Sequence, residues 1–359
     1  MYKIMTPGPT QVAENVRLAR SLPCTNPDID ESFVEFYKET CELISRLLYT
    51  KNETFILSGE GILGLEAACA SLTEKGDRVL VLDNGIYGKG FADFVTMYGA
   101  EAVIYTDDYK RPISVEKLEK YLESDHGFKY ATVVHCDTPS GMLNDISRIC
   151  PLLKKYGIMT VVDSVSAMFG EEVRADEFGI DILCGGSQKA VSAPPGLTFV
   201  TVSDDAKYAI THRETPIASF YANLSVFFNY YEEKWFPYTM PISDIYGLRA
   251  AFDNIAADKD MLERHREVAE YTRKEVVRMG LKLHLEDGFS NTVTVVDVPD
   301  GIECGEILKR MRDEYNIMIT GSFGYLAGKV LRIGHMGENA TMENVKETLH
   351  ALEEVLKTF

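Results

Sequence analysis

The 359-residue sequence lacks several features that would place it in other protein classes. It has no run of about 18 apolar residues, the length that a membrane-spanning helix needs. Its first residues, MYKIMTPGPT, lack the basic start and apolar stretch of a secretory leader. Its seven cysteines are scattered and contain no C-x-x-C pair, which argues against a disulfide framework and against a zinc site. We therefore expect a cytoplasmic protein with reduced thiols and no metal ion.

Positive charge is also scarce. The sequence has 37 Lys and Arg residues against 55 Asp and Glu residues, a formal charge of −18. Such a balance argues against a nucleic acid or an anionic membrane as partner. The hydrophobic fraction of 45% supports a full-sized core, and the length suits one large domain and a smaller one.

Short apolar runs alternate with helical patterns through the first two thirds of the chain. Near-continuous apolar runs are typical of strands that are covered on both faces, and the alternation predicts a mostly parallel α/β sheet. After about residue 255 the pattern changes to a long amphipathic helix ended by Gly280, then strand, helix, strand, strand and a last helix capped by Thr341. This order predicts a small α+β unit. The predicted strands are 55–57, 78–82, 102–105, 130–135, 158–163, 180–184, 197–202, 292–298, 317–320 and 329–335.

Polar or small residues follow four of the predicted strands, at 58–61, 136–141, 163–164 and 185–189. Because functional groups of open α/β sheets collect at the carboxyl ends of the strands, we expect these segments to meet in one crevice. The glycine loop before the helix at residue 62 can present backbone N–H groups to an anion such as phosphate, or it is an ordinary strand–helix turn.

The segment CGGSQKAVSAPPGLTFV (184–200) places Lys189 among small residues, which leaves room for a planar group beside the amine. A desolvated or cation-flanked lysine loses its proton readily and can form a Schiff base. A solvated loop lysine is the alternative interpretation. Asp163 ends a buried strand and needs a partner, which could be a ligand, a helix cap or a salt bridge.

Taken together, GSQKAVSAPPG and VVDSVSAMFG resemble the cofactor-lysine and aspartate segments of class V aminotransferases, in the alanine–glyoxylate/serine–pyruvate branch. The resemblance extends from about residue 4 to the C-terminus through the segments TPGPT, LSGEGILGLEAA, LDNGIYGKG, HCDTPSGML and LRIGHMGENAT. It implies a fold-type I enzyme dependent on pyridoxal 5′-phosphate, with a mostly parallel seven-stranded sheet between helices.

The resemblance also implies a role for individual residues. Lys189 would hold the cofactor as a Schiff base, and Asp163 would keep the pyridine nitrogen protonated. Tyr87 would stack on the ring, and Thr138 would lie near the ring hydroxyl and the substrate. The phosphate would be bound by the loop residues Gly59, Glu60, Gly61 and Ile62, with side-chain contacts from Ser187 or Gln188.

Further residues are implied at the substrate side and between subunits. Arg332 would bind the substrate carboxylate bidentately, and Pro7 and Gly8 would line the substrate mouth. Thr239 would reach the phosphate of the neighbouring subunit, in a homodimer with shared active sites. The implied divisions are an N-terminal segment at 1–15, a large cofactor-binding domain at 16–255 and a small C-terminal domain at 256–359.

Two positions depart from the family pattern. Glu60 stands where Ser or Thr is common, and a carboxylate beside a phosphate dianion is unfavourable. Glu60 must therefore turn away or contact the substrate amine. The segment PCTNPDIDESF (23–33) lacks a His-Arg pair that often precedes the matching Phe.

The expected activity is ping-pong transfer of an amino group from alanine or serine to glyoxylate or pyruvate. One alternative is 2-aminoethylphosphonate–pyruvate aminotransfer, and a less favoured one is a lyase such as cysteine desulfurase. Desulfurases usually have His before the cofactor lysine, where this sequence has Gln188. A degenerate member that serves as a scaffold is the non-enzymatic alternative.

Overall fold

A computed structural model describes residues 2–359 as strands, helices and connecting loops. The strands are β1 (Lys3–Ile4), β2 (Glu53–Ser58), β3 (Arg78–Asp83), β4 (Glu101–Thr106), β5 (Tyr130–Val134), β6 (Cys136–Asp137), β7 (Met142–Leu143), β8 (Met159–Asp163), β9 (Ile182–Gly186), β10 (Leu197–Val202), β11 (Val293–Asp297), β12 (Ile317–Met318) and β13 (Val330–Gly334). The α-helices are α1 (Glu14–Ala19), α2 (Glu31–Leu47), α3 (Gly61–Leu72), α4 (Ile86–Met97), α5 (Val115–Ser124), α6 (Ile146–Lys155), α7 (Asp204–Thr211), α8 (Tyr230–Glu233), α9 (Ile242–Ala257), α10 (Met261–Arg278), α11 (Cys304–Tyr315) and α12 (Met342–Leu356). Short 3-10 helices cover Leu224–Phe227, Gly324–Leu326 and Gly337–Asn339.

Seven strands form the main sheet in the order β2-β10-β9-β8-β5-β3-β4. All neighbouring pairs are parallel except those of β10, which runs antiparallel to both β2 and β9. Every residue of β5, β9 and β10 is buried, as expected for strands covered on both faces. The predicted mostly parallel seven-stranded sheet is therefore confirmed.

Helices pack on this sheet and direct its carboxyl edge toward one crevice. α3 lies against β9 and β10, α4 against β3 and β4, and α2 against β2. Because β2 and β9 both run opposite to β10, their carboxyl ends leave the sheet at the same edge. The loops after β2, β5, β8 and β9 therefore share that edge.

Strand β9 begins and ends two residues later than the predicted segment 180–184. The Asp181 carboxylate binds the backbone N of Thr160 at 2.9 Å and the Nζ of Lys154 at 2.8 Å, so the chain before β9 is tied to β8 and α6. Within the strand, position 185 needs a glycine because the ring of Phe199 occupies the space where a side chain would stand. A Cβ on Gly185 would lie 2.1 Å from that ring.

A second apolar core lies in the C-terminal part, where the predicted order of strand, helix, strand, strand and helix is confirmed as β11, α11, β12, β13 and α12. β1 pairs in parallel with β12, and the buried Met5 packs in this second core. Helix α10 contributes Met261 to the main core and Val268 to the second one. The domain limits 1–15, 16–255 and 256–359 stay a prediction. Between residues 2 and 359, no helix combines the length and apolarity needed to cross a membrane.

Candidate active site

A cleft lies at the carboxyl edge of the main sheet. The segment around residue 8 and the loops after β2, β8 and β9 contribute to its wall, together with the first turn of α4. Eight residues predicted from the sequence line it: Gly8, Glu60, Gly61, Ile62, Tyr87, Asp163, Gln188 and Lys189. The other lining residues are Pro9, Leu65, Val165, Ser166 and Pro195.

Lys189 follows β9 by three residues, and its amine points into a close contact with the N-terminal segment. Its Nζ donates a hydrogen bond to the carbonyl oxygen of Pro7 at 2.7 Å. Gly8 has a φ of +99°, and a Cβ there would lie 2.4 Å from Cδ of Lys189 and 2.7 Å from its Nζ. The absence of a side chain at Gly8 therefore makes room for the lysine.

Burial lowers the pKa of Lys189 to about 8, and the positive charge of Arg332 adds to this effect. The negative charges of Asp163 and Glu60 oppose it. A larger share of this amine is therefore neutral at physiological pH than for a lysine in water, and a neutral amine is the nucleophile that attacks an aldehyde.

Asp163 ends β8, and its side chain is 5% exposed. Burial raises its pKa to about 7, although the backbone N–H of Val165, which donates to its Oδ1 at 2.9 Å, and the charge of Lys189 both favour the ionised form. The carboxyl group lines the same cleft as Lys189. A cationic N–H group in the cleft would stabilise the carboxylate further.

Tyr87 is held in place by a residue that the sequence analysis did not single out. The backbone N of Tyr87 donates to Oδ1 of the buried Asp137 at 2.9 Å, and the hydroxyl of Ser140 donates to Oδ2 at 2.6 Å. Gly85 allows this approach, since a Cβ there would lie 2.4 Å from Cγ of Asp137. Asp137 lies in the segment HCDTPSGML, so its place after β5 was a usable signal.

Arg332 lies in β13, behind the cleft rather than in its wall. Its Nε donates to the carbonyl oxygen of Gly321 at 2.6 Å, and its Nη1 lies 3.4 Å from that of Thr138. The Thr138 hydroxyl is hydrogen-bonded to the hydroxyl of Ser166, which lines the cleft and was missed in the sequence. Arg332 and Thr138 thus adjoin the cleft from the same side.

The start of α3 is capped by Glu60. Its Oε1 accepts from the backbone N of Ile62 at 3.2 Å, and its Oε2 accepts from Nε2 of Gln188 at 2.9 Å. Gly61 lets the helix approach the loop after β8, since a Cβ there would lie 2.9 Å from Cγ2 of Val165. The carboxylate therefore occupies the position where the glycine loop was expected to offer N–H groups to phosphate.

The remaining predicted residues do not line the cleft. The backbone N of Gly59 donates to the carbonyl oxygen of Gly196 at 2.9 Å, and the Ser187 hydroxyl donates to that of Pro194 at 2.7 Å. The Thr239 hydroxyl donates to Oδ2 of Asp28 at 3.3 Å. Pro7 contacts the site through its carbonyl oxygen, which accepts the hydrogen bond from Lys189.

The model of the family described as aminotransferase class-V matches residues 24–347. The chain belongs to the class V aminotransferase family. It is therefore an aminotransferase, and its family depends on pyridoxal 5′-phosphate.

Relatives of known name cover nearly the whole chain. The chain is 33% identical over 363 residues to the alanine–glyoxylate aminotransferase of Callithrix jacchus, covering 99% of this chain and 87% of the relative. It is 32% identical over 322 residues to the pyridoxamine–pyruvate transaminase of Mesorhizobium japonicum, covering 87% of this chain and 81% of the relative.

A solved structure agrees with the fold. The ureidoglycine–glyoxylate aminotransferase of Bacillus subtilis superposes with a TM-score of 0.96 at 30% identity, covering 100% of this chain and 93% of that chain. The expected fold type I of this aminotransferase family is thereby confirmed.

Proposed function

We propose that this class V aminotransferase moves an amino group from a small amino acid, alanine or serine, to glyoxylate or pyruvate in two half-reactions of a ping-pong mechanism. The observation that carries the proposal is the cleft shared by Lys189 and Asp163. The named relatives support the acceptor, because each name pairs an amine with glyoxylate or with pyruvate.

The residues of the cleft fit the pyridine half of pyridoxal 5′-phosphate. Asp163 has a carboxyl group with one backbone hydrogen bond, which leaves capacity to accept the ring N–H. Tyr87 offers an aromatic wall and Lys189 an amine for the aldehyde. When bound, the cofactor supplies an electron sink that weakens the Cα–H bond of the amino acid.

Lys189 is the proposed general base and acid. With the cofactor bound, its Nζ would take the proton from the substrate Cα in the first half-reaction and would deliver a proton to the Cα of the new amino acid in the second. A pKa near 8 suits both directions of transfer, because neither form of the amine is strongly favoured near neutral pH. The carbonyl oxygen of Pro7 orients the amine.

Arg332 is the proposed anchor for the substrate carboxylate. Its Nε donates a hydrogen bond to the carbonyl oxygen of Gly321. Within residues 2–359, its Nη2 has no hydrogen-bond partner. The guanidinium therefore retains an Nη2 group that can donate to a carboxylate. Fixing the carboxylate there would orient the Cα–H bond toward the lysine.

The assembly and the compartment belong to the proposal as well. A homodimer in the cytoplasm, with Thr239 reaching the phosphate of the partner subunit, remains the working arrangement. Thr239 lies outside the cleft wall of its own chain, as a residue serving another subunit would. Sedimentation analysis of the purified protein tests the dimer.

The alternatives of the sequence analysis gain no support. Transfer from 2-aminoethylphosphonate would require Arg332 to bind a phosphonate as well as the carboxylate of pyruvate, and none of the named relatives has a phosphonate in its name. A desulfurase needs a mobile cysteine at the substrate. No cysteine lines the cleft within residues 2–359, and Cys304 at the start of α11 is 7% exposed.

The test replaces the lysine and the aspartate separately. Lys189→Ala should lower formation of glycine from alanine and glyoxylate by at least about 10³-fold, because the proton carrier is lost. Asp163→Asn should lower it by about 10²-fold or more through loss of the charge at the ring nitrogen. Lys120→Ala, at an exposed lysine of α5, is the matched control and should keep full activity. Turnover retained in Lys189→Ala would reject the mechanism.

A further inference from the structure

The anion position at the start of α3 is taken by the protein itself. Glu60 accepts from the backbone N of Ile62, so its negative charge sits at the positive end of the helix. A phosphate group that bound the same N–H groups would have to displace this carboxylate or lie beside it. Two like charges at one helix terminus repel each other.

The side chain of Gln188 holds the Glu60 carboxylate in place and has an amide oxygen without a hydrogen-bond donor. Its Nε2 donates to Glu60, and because a carboxylate accepts but does not donate, the orientation of the amide is determined. Its Oε1 is buried, and no residue in the described range 2–359 donates to it. The side chain is 7% exposed and lines the cleft. A buried amide oxygen without a partner calls for a donor from the ligand.

The position of this oxygen is at the floor of the cleft beside α3. A Cβ on Gly186 would lie 3.0 Å from Oε1 of Gln188 and 3.6 Å from Cα of Gly61. The oxygen and the first residue of the helix therefore both lie close to Gly186. Glu60 and Gln188 together present acceptor atoms at that point.

The chemistry of such a pair favours a neutral donor over an anion. A phosphate dianion has acceptor oxygens only and carries the same charge as Glu60. A hydroxyl group is neutral and can donate to the amide oxygen. Among the residues that line the cleft within the described range 2–359, Lys189 is the one cation, and the proposed reaction commits it to the aldehyde.

We infer that this cleft is selective for a phosphate-free pyridine aldehyde or amine, pyridoxal or pyridoxamine, whose hydroxymethyl arm donates to Gln188 Oε1. The inference rests on the proposed function, because the ring and the aldehyde use Asp163 and Lys189 as described above. Lys189 condenses with the aldehyde, so that a C=N bond forms and one water leaves. Without a phosphate to retain it, the pyridine compound exchanges with solvent and acts as a substrate.

As an amino donor, pyridoxamine needs no further reactant than a 2-oxo acid. Its amino group passes to the keto carbon of glyoxylate or pyruvate, which is reduced to the amino acid. The aminomethyl carbon of pyridoxamine is oxidised to the aldehyde. The keto oxygen leaves as water when the C=N bond between the two compounds forms, and the water that hydrolyses the rearranged C=N bond supplies the aldehyde oxygen. Protons and electron pairs balance between the two compounds.

The first experiment measures ligand choice without turnover. Full-length protein, dialysed against hydroxylamine and then buffer, is titrated with pyridoxal and with pyridoxal 5′-phosphate, following the visible absorbance of the lysine-bound aldehyde. Wild type should bind pyridoxal the more tightly. In Glu60→Gln and Glu60→Ser the ratio of the two dissociation constants should shift toward the phosphorylated ligand by about tenfold or more, because the repelling charge is gone.

Two control variants test whether the effect arises from the charge of Glu60 itself and whether the absorbance band arises from Lys189. Glu66→Gln removes the same charge farther along α3, where the carboxylate binds the hydroxyl of Tyr98, and should leave the ratio unchanged. Lys189→Ala should abolish the absorbance band with both ligands. Tighter binding of the phosphorylated ligand by wild type, with an unchanged ratio in Glu60→Gln, would overturn the inference.

The second experiment measures consumption of pyridoxamine with pyruvate or glyoxylate, in the absence of any phosphorylated ligand. Formation of pyridoxal together with alanine or glycine supports the inference. Transamination of alanine by protein loaded with pyridoxal 5′-phosphate, without any consumption of pyridoxamine, overturns the inference and leaves the proposed function standing. Absence of the lysine-bound band with both aldehydes in wild type overturns both.

Discussion

At the scale of single residues, the cleft brings an amine and a carboxyl group to similar proton affinities. Burial lowers the pKa of Lys189 to about 8 and raises that of Asp163 to about 7. Arg332 holds the lysine value down from behind the cleft. Such displaced values are common where groups exchange protons with a ligand, because burial alone disfavours both charged forms.

The first prediction concerns this electrostatic coupling. Arg332→Met removes a positive charge near Lys189, so the protonated amine becomes more favourable and its pKa rises. The pH at which pyridoxal forms the lysine-bound absorbance band should therefore shift upward, and kcat/KM for alanine should fall by about 10²-fold because the proposed carboxylate anchor is lost. Arg312→Met, at an exposed arginine of α11, serves as control. An unchanged pH profile would show that Arg332 does not act on the amine.

The second prediction concerns the space beside the lysine. Gly8→Ala places a Cβ 2.4 Å from Cδ of Lys189 and strains a backbone with φ of +99°. Turnover should fall by about 10²-fold or more, since the amine is displaced from its working position. Gly305→Ala, on the exposed first turn of α11 with nothing within 4 Å, should have normal activity. Equal rates in wild type and Gly8→Ala would show that the segment moves aside freely.

The sequence predicted those site residues whose own side chain would contact the ligand. Lys189, Asp163 and Tyr87 were predicted to share a site, and all three line one cleft. Asp137 and Ser166 were missed because their roles depend on partners distant in sequence: Asp137 supports Tyr87 across 50 positions, and Ser166 binds Thr138 across 28. The local sequence pattern does not show that Asp137 contacts Tyr87 or that Ser166 contacts Thr138.

At the scale of secondary-structure elements, the packing of α3 decides where Glu60 and Gly61 lie in the cleft wall. The helix packs so closely on the sheet that a Cβ on Gly64 would lie 2.4 Å from Oγ1 of Thr198 and 3.2 Å from Cγ2 of Val200, both in β10. Close packing of this kind positions the helix start, with Glu60 and Gly61, at the edge of β9. The cleft floor therefore depends on a glycine one turn away from it.

The third prediction contrasts two helical glycines. Gly64→Ala should lower the free energy of unfolding by about 1–3 kcal/mol, because α3 must move off β10 to admit the methyl group. Gly90→Ala in α4 has nothing within 4 Å of the new Cβ and should raise it by about 0.5–1 kcal/mol through helix propensity. Chemical denaturation of both variants measures the difference. Stabilisation by Gly64→Ala would contradict the close packing.

Element existence was predictable from the sequence, whereas some boundaries and pairings were not. The apolar runs at 130–135 and 197–202 predicted strands that the structure contains, and Ser114 and Thr341 cap helices as expected. The shift of β9 and the pairing of β1 with β12 arise from contacts between distant segments. Local propensity does not encode such contacts.

At the scale of the whole molecule, a buried histidine connects distant parts of the chain. His265 in α10 donates from Nδ1 to the carbonyl oxygen of Met261 at 2.7 Å and accepts on Nε2 from the backbone N of Gly337 at 2.9 Å. The acceptor role of Nε2 requires the neutral ring. Burial lowers the pKa of His265 to about 4, so the folded protein resists its protonation.

The fourth prediction follows from this pKa. The unfolded chain binds the proton near pH 6.5 and the folded chain near pH 4, so the stabilising contribution is complete above pH 6.5 and is lost as the pH falls toward 4. His265→Gln should therefore reduce the loss of unfolding free energy between pH 7 and pH 5 by about 1–2 kcal/mol relative to wild type. Comparison with wild type cancels the opposite contributions of Asp163 and Glu171.

The sequence by itself determined the α/β architecture and the family, because apolar periodicity and short motifs are properties of neighbouring residues. It also identified the lysine, the aspartate and the unusual glutamate as candidates. Only the tertiary structure decided what these residues face. Glu60 caps a helix and holds Gln188, and Pro7 meets Lys189, through contacts that span 128 and 182 positions. Such contacts depend on how the sheet and its loops pack together, and packing is a property of the folded chain as a whole.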